Sequence, residues 1–298
     1  MRDTRAAVAT KAAPALVLRP GTVEDADACG RICYDAFATL ASGHGFPPDF
    51  PSPDVAIDVL SGLLSHPGFY SIVAESDGKV VGSNFLDERS RIAGIGPITV
   101  DPSAQNTGVG RRLMIGVLER ARERAFPGVR LLQASYHTRS LSLYAKLGFD
   151  VREAVVTLQG APIAADIHGY SVRTATGDDV GECNRVCLLV HGHDRSGEVH
   201  DAIRHGQARV VEHDGRISGY TTGVAFFAHT VGETNEDLKA LIGAASEFGG
   251  PGFLLPVRNA ELFRWCLEHG LRVVQVMTLM TLGLYNEPAG AYLPSILF

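Results

Sequence analysis

The chain has 298 residues, 45% of them hydrophobic and 20% charged, with 27 Lys and Arg against 33 Asp and Glu for a formal charge of −6. That length fits two ordinary domains, the composition excludes a mainly disordered or disulfide-stapled chain, and no apolar run reaches the ~18 residues of a membrane helix. The acidic balance argues against nucleic acid or an anionic membrane as the main partner and favours a cationic small molecule.

Residues 1–16 carry Arg2, Arg5 and Lys11 among alanines, and Lys11 interrupts the apolar core that a signal peptide needs, so the stretch reads as a disordered tail. Periodicity then predicts a strand at Val17–Arg19, a helix at Glu24–Phe37, a long Gly/Pro loop from Leu40 to Asp54 and a hairpin over Tyr70–Phe85. A strand follows at Gly94–Val100, then a helix at Gly108–Ala125, a strand at Val129–Ala134, a helix at Arg139–Leu147 and a strand at Val151–Leu158. Residues 159–168 read as a linker around Gly160 and Pro162.

The same order then returns. Arg19, Thr22, Asp25, Cys29, Arg31 and Cys33 fall on Arg173, Thr176, Asp179, Cys183, Arg185 and Cys187 at a shift of 154. Glu75, Asp77, Gly78 and Gly82 fall on Glu212, Asp214, Gly215 and Gly219 at 137, and Leu132, Gly148 and Val151 fall on Leu254, Gly270 and Val273 at 122. The chain is a tandem duplication whose second copy is shorter by 17 residues (154 − 137) before its hairpin and by 15 (137 − 122) after it. Hairpins followed by alternating helices and strands give a mixed α/β sheet in each copy, with domains at 17–158 and 169–298.

The strongest motif joins the end of the strand at Gly94–Val100 to the start of the helix at Gly108–Ala125. Ile98-Thr99-Val100-Asp101-Pro102 ends a strand, Gln105-Asn106-Thr107-Gly108-Val109-Gly110-Arg111-Arg112 makes a turn, and an amphipathic helix begins. Glycines let a backbone approach a ligand, successive N–H groups at a helix start form an anion site, and Arg111 and Arg112 add charge. Downstream stands Ser140-Leu141-Ser142-Leu143-Tyr144-Ala145-Lys146-Leu147-Gly148-Phe149. Gln105-x-x-Gly108-x-Gly110 resembles motif A of the GNAT superfamily of acetyl-CoA-dependent N-acetyltransferases, and Tyr144-x-x-x-Gly148-Phe149 resembles its motif B.

The resemblance implies two tandem acyl-CoA N-acyltransferase folds. It implies that residues Gln105 to Arg111 hold the coenzyme A pyrophosphate and that Ile98 and Val100 hydrogen-bond the pantetheine arm. It also implies that Tyr144 is the general acid, protonating the thiolate as an amine attacks the thioester directly. His137 stands where the family commonly has Asn; it reads as a cofactor contact, a base or a helix-capping histidine. The base is open: many relatives carry a Glu on the central strand, whereas Ala93-Gly94-Ile95-Gly96-Pro97-Ile98 holds no carboxylate. His44, Asp87, Glu88, His137, an α-carboxylate on Phe298 and a water are the candidates.

In the second copy the matching region reads Val231-Gly232-Glu233-Thr234-Asn235-Glu236-Asp237, without Gly-x-Gly, and Cys266 matches Tyr144. Carboxylates at a helix start satisfy the dipole themselves and repel phosphate. That copy reads as degenerate, with a structural, dimerising or substrate-shaping role. His191, His193, His200 and His205 do not make a recognised metal spacing, and the paired cysteines Cys29/Cys33 and Cys183/Cys187 read as core, so no metal is expected. Five cysteines at low density suit a reduced cytoplasmic protein. The expectation is an N-acetyltransferase of a small-molecule amine, with a homodimer as one option for its assembly and a protein-lysine acetyltransferase or an inactive acetyl-CoA sensor as alternatives.

Overall fold

The computed structural model describes residues 16–297. The tail assigned to residues 1–16 therefore lies outside the described residues except for Leu16, and so does the carboxylate at Phe298. The first copy runs β1 (Leu16–Pro20), α1 (Ala26–Gly43), α2 (Pro53–Ser65), β2 (Phe69–Ser76), β3 (Lys79–Asp87), β4 (Ala93–Ile95), β5 (Thr99–Val100), α3 (Val109–Glu123), β6 (Gly128–Ala134), α4 (Thr138–Lys146) and β7 (Asp150–Gln159). The second runs β8 (Tyr170–Thr174), α5 (Val180–His191), α6 (Ser196–Arg204), β9 (Arg209–His213), β10 (Arg216–Thr221), β11 (Thr230–Gly232), α7 (Asn235–Gly243), β12 (Phe253–Pro256), α8 (Ala260–Glu268), β13 (Arg272–Gly283) and β14 (Ala291–Leu293).

The repeated polar residues turn out to be a helix-starting device. Thr22 and Asp25 form a capping box ahead of α1, and the Arg19 guanidinium donates to both Asp25 oxygens at 2.8 and 2.7 Å. Thr176, Asp179 and Arg173 repeat this ahead of α5, with both distances 2.8 Å. A carboxylate that accepts backbone and guanidinium N–H groups together fixes where the helix begins and how it meets its strand. The Asp77-Gly78 and Asp214-Gly215 turns carry φ of 51° and 73°, and 51° and 75°, as a two-residue hairpin with right-handed strand twist requires. Helix α2 goes beyond the sequence reading: Ser52 caps it, Val55 N–H to Ser52 Oγ at 3.4 Å, with Pro53 in the first turn.

The sheet does not close within each copy. A nine-stranded sheet runs β1-β2-β3-β4-β6-β13-β7-β12, with β5 attached to β3, and a second sheet runs β14-β11-β10-β9-β8. Strand β13 of the second copy is therefore inserted between β6 and β7 of the first, while β7 lies between β13 and β12. This exchange is its own image under the repeat. The 122 residues from Val151 to Val273 convert the pair Val151–Met280 into Val273–Leu158, and Leu131–Met280 into Phe253–Leu158. The bulged residues Arg152 and Val274 are related in the same way.

Two helical layers flank the first half of the large sheet. Leu113, Met114, Val117 and Tyr144 of α3 and α4 pack with Leu86, Leu131 and Met280 on one face. Cys29, Cys33, Ala56 and Leu60 of α1 and α2 pack with Val73 and Phe85 on the other. All five cysteines are free and buried. Among the described residues, no helix is long and apolar enough to cross a membrane.

Candidate functional site

The strand expected at Gly94–Val100 is two strands, and the break makes the site. β4 pairs in parallel with β6 at Ala93–Val129 and Gly94–Arg130. Gly96, at φ 140°, and Pro97, which has no N–H to give a ladder, then turn the chain away. β5 resumes beside β3 through Gly82–Val100 and Ser83–Thr99. From Leu131 to Ala134, β6 pairs with β13 along its other edge but with no strand on this side. Two strand edges thus face each other across a gap, and backbone N–H and C=O groups on such edges call for a partner.

The gap opens into a cavity of about 520 Å³. Ile98, Val100, Gln105, Asn106, Gly108, Gly110, Arg111, His137 and Tyr144 all line it, so the fold brings nearly all the residues singled out from the sequence to one place. Thr107 and Val109 are not on its wall: the Thr107 hydroxyl donates to Ala104 O at 2.6 Å, and Val109 is buried in the α3 core.

The loop from β5 to α3 is held by its own side chains. Asp101 accepts from Ser103 N at 2.8 Å, Gln105 Nε2 donates to Val100 O at 3.3 Å, and Arg139 of α4 donates to Gln105 Oε1 and Asn106 Oδ1, both at 2.8 Å. Asn106 and Gly108 take φ of 64° and 91°. A Cβ on Gly108 would meet nothing within 4 Å, so this glycine is needed for its backbone angle and not for space. Gly108 is the N-cap of α3 and offers no side chain to the first N–H groups, and no acidic residue stands in that turn. The start of α3 is an uncapped positive dipole end aimed at the cavity rim.

In the second copy the matching strand edge is filled, and what remains beside it is a smaller cavity of about 310 Å³ lined by Glu233, Thr234, Asn235, Arg258 and Asn259. β14 pairs with β11 through Thr230–Leu293, Val231–Tyr292 and Gly232–Ala291, on the edge where a gap would lie. Thr234 and Asp237 close a capping box on α7, with Thr234 N–H to Asp237 Oδ2 at 2.8 Å. Cys266 is fully buried in the core beneath α8.

Tyr144 is 5% exposed, packed near Phe149 on the α3 side of the sheet. Burial pushes its phenol up to about 12, with a Ser140 hydrogen bond working the other way, so it keeps its proton. Ser140 Oγ lies 2.6 Å from His137 Nδ1. Burial, then Arg139 and His44, lower the His137 pKa, leaving a neutral imidazole at neutral pH.

The carboxylates considered from the sequence lie elsewhere. Asp87 is buried against Arg89, at 2.9 and 2.5 Å, and Glu88 is held by Arg120 at 2.7 and 3.0 Å; neither lines the cavity. His44 does line it, with Nδ1 2.9 Å from Leu40 O and its ring against Tyr136. The bare strand position is explained by packing: a Cβ on Gly94 would sit 1.8 Å from Leu297 O, so the chain's last described residues occupy that space. Sequence reasoning missed Asp49 and Tyr136 on the wall, together with Phe226, Phe227 and Met277 from the second copy; Ile296 and Leu297 of the apolar chain end, considered only for its terminal carboxylate, also line it. The internal repeat, aligned copy to copy, carries no signal that one copy reaches into the other's site.

The sequence model of the Acetyltransferase (GNAT) family matches residues 38–149, and this segment is a domain of that family. A mycothiol acetyltransferase of Thermomonospora curvata is 35% identical over 91 residues, which is 30% of each chain, so the match spans about a third of that relative's length. Among solved structures, a chain from Pyrococcus horikoshii superposes at a TM-score of 0.72 with 18% identity, covering 93% of this chain and 94% of its own. A tandem GNAT protein from the clavulanic acid biosynthesis pathway superposes at 0.55 with 17% identity, covering 94% and 100%. The fold of the whole chain is thus a mixed α/β tandem GNAT arrangement.

Proposed function

We propose that the chain is an acetyl-CoA-dependent N-acetyltransferase that acetylates a small-molecule amine by direct attack, with the chemistry in the first copy. The observation that carries this reading is the contrast between the copies at one point of the fold. In the first, the strand edges are parted and the helix start beyond them is uncapped; in the second, β14 fills the equivalent edge and a capping box closes the helix. An open β edge leading to an uncapped helix N-terminus suits a ligand with amide groups at one end and phosphates at the other.

The residues on the wall divide the work. The edges at Ile98–Val100 and Leu131–Ala134 would hydrogen-bond the pantetheine amides, and the backbone from Gln105 to Arg111 would take the pyrophosphate, with Arg111 and Arg139 adding charge. Acetyl-CoA, when bound, supplies the thioester that the amine attacks. Tyr144, still protonated because it is buried, would donate to the leaving sulfur. Phe226, Phe227 and Met277 of the second copy would wall the acceptor side.

Calorimetric titration with acetyl-CoA tests the reading. One site per chain is expected, lost in Gly108→Glu, which strains φ and sets a negative charge at the helix start, and weakened in Arg111→Glu, which leaves the backbone alone. Two sites, or none, would overturn it.

A further inference from the structure

The cavity described above has two sides, and only one of them is used by the proposed handling of the thioester. Tyr144 and α3 lie on one face of the sheet; the end of α1 and the loop from His44 to Ser52 lie on the other. On that second side stands Asp49, the one carboxylate among the residues that line the cavity.

Its surroundings are unusual for an acid. Asp49 accepts a hydrogen bond from Gln275 Nε2 at 3.2 Å, and among the described residues no Lys, Arg or His forms an ion pair with it. Gln275 is itself 3% exposed and comes from β13, the strand exchanged from the second copy; its Oε1 accepts from Tyr136 OH at 3.4 Å. Tyr136 stacks on Phe46 with ring centroids 4.4 Å apart. An amide held in this way presents one N–H to the carboxylate and contributes no charge. Burial raises the Asp49 pKa, the Gln275 bond opposing it. A desolvated carboxylate without a cation is costly unless a cation arrives or a proton is taken up. Phe37, Leu40, Phe226, Phe227 and Met277 also line the cavity, as do Thr39, His44 and Phe50.

We propose that Asp49 is the acceptor's docking carboxylate: it pairs with the ammonium of a primary amine carried on an apolar body, and it takes the first proton that this amine gives up. The inference rests on the acetyltransferase reading above. The step balances as follows. The ammonium passes one proton to Asp49, and the free amine's lone pair forms the N–C bond to the acyl carbon. The C–S bond breaks with its electron pair left on sulfur, which takes the Tyr144 proton. The second N–H proton leaves as the amide forms and a proton returns to the Tyr144 oxygen; Asp49 releases its own to water. Base and acid then stand on opposite faces of the sheet, as an attacking amine and a departing thiol require.

The test uses the full chain saturated with coenzyme A, and 2-phenylethylamine with its uncharged counterpart 2-phenylethanol as probes, titrated calorimetrically; thiol release from acetyl-CoA with the same amine is followed in parallel. Asp49→Asn is expected to weaken amine binding by about tenfold or more and to change alcohol binding by less than about twofold. Asp49→Glu should recover part of the amine affinity, and Gln275→Leu should lower thiol release while the amine stays preferred over the alcohol. Amine binding equal in wild type and Asp49→Asn would overturn the inference, as would wild type binding amine and alcohol equally or binding neither. Failure of wild type to bind coenzyme A would instead overturn the acetyltransferase reading, since Asp49 takes no part in that titration.

Discussion

Tyr144 can act as an acid only while it holds its proton, and burial ensures that it does. Tyr144→Phe keeps the ring in its contact with Phe149 and removes the hydroxyl alone. Turnover is expected to fall by about a hundredfold with acetyl-CoA affinity unchanged, read by steady-state kinetics beside calorimetry. Gly94 is the opposite case, where a residue matters for the atoms it lacks. Gly94→Ala drives a methyl into Leu297 O and is expected to cost about 1–3 kcal/mol, measured as a shift in urea midpoint. Some of this was legible beforehand. The Gly-x-Gly turn and Tyr144 stood out because their local sequence pattern is dense. Asp49 did not, because its partner Gln275 is 226 residues away and nothing in either segment points to the other.

At the scale of elements, patterns were readable where local chemistry decides and opaque where pairing decides. The Arg-Thr-Asp set and the Asp-Gly turns repeat because each fixes its own helix start or hairpin. Helix α2 had a readable start in Ser52-Pro53, but the neighbouring Gly and Pro residues masked it. The break between β4 and β5 was written as Gly96-Pro97, yet an apolar run on both sides made one strand of it. The exchange of β7 and β13 could not be read at all: both are long apolar strands after equivalent helices, and each satisfies the other's place in the sheet. Removing β14 tests its role. Replacing Tyr292 and Leu293 with proline removes an N–H that faces β11 whichever of the alternating pairs is hydrogen-bonded, and the expected result is a lower melting temperature without a gain of a second acetyl-CoA site.

Across the whole molecule, a buried polar cluster of the second copy lies beside an ion pair that joins the two copies. His229 Nδ1 lies 3.1 Å from Glu198, its Nε2 lies 2.9 Å from Tyr220 OH, and Arg195 holds Glu198 at 2.8 and 2.7 Å. Arg89 of the first copy bonds Asp201 of the second at 2.9 Å. Burial, then Arg195, brings both His193 and His229 down to about 4, so both are neutral at pH 7. The unfolded chain binds protons at these sites below about 6.5 while the folded chain resists until about 4. The contribution of these two histidines to stability is therefore full above pH 6.5 and is lost as pH drops toward 4. Urea midpoints measured across that window should decline, and His229→Gln should flatten the decline. Because the central sheet runs through both copies, heating is expected to give one calorimetric transition, with residues 17–158 expressed alone failing to fold.

The exchanged strands have one more consequence. A pair of chains trading their final strands about a twofold axis would have the geometry seen at β7 and β13, and in such a pair every substitution appears twice. Joined into one polypeptide, the halves are released from that constraint. One can keep its open edge, while the other folds a strand into its own and lends Phe226, Phe227, Gln275 and Met277 to its neighbour. Fusion thus lets two equivalent sites diverge, so that one wall of the larger cavity can drift without disturbing the parted strand edges beside it.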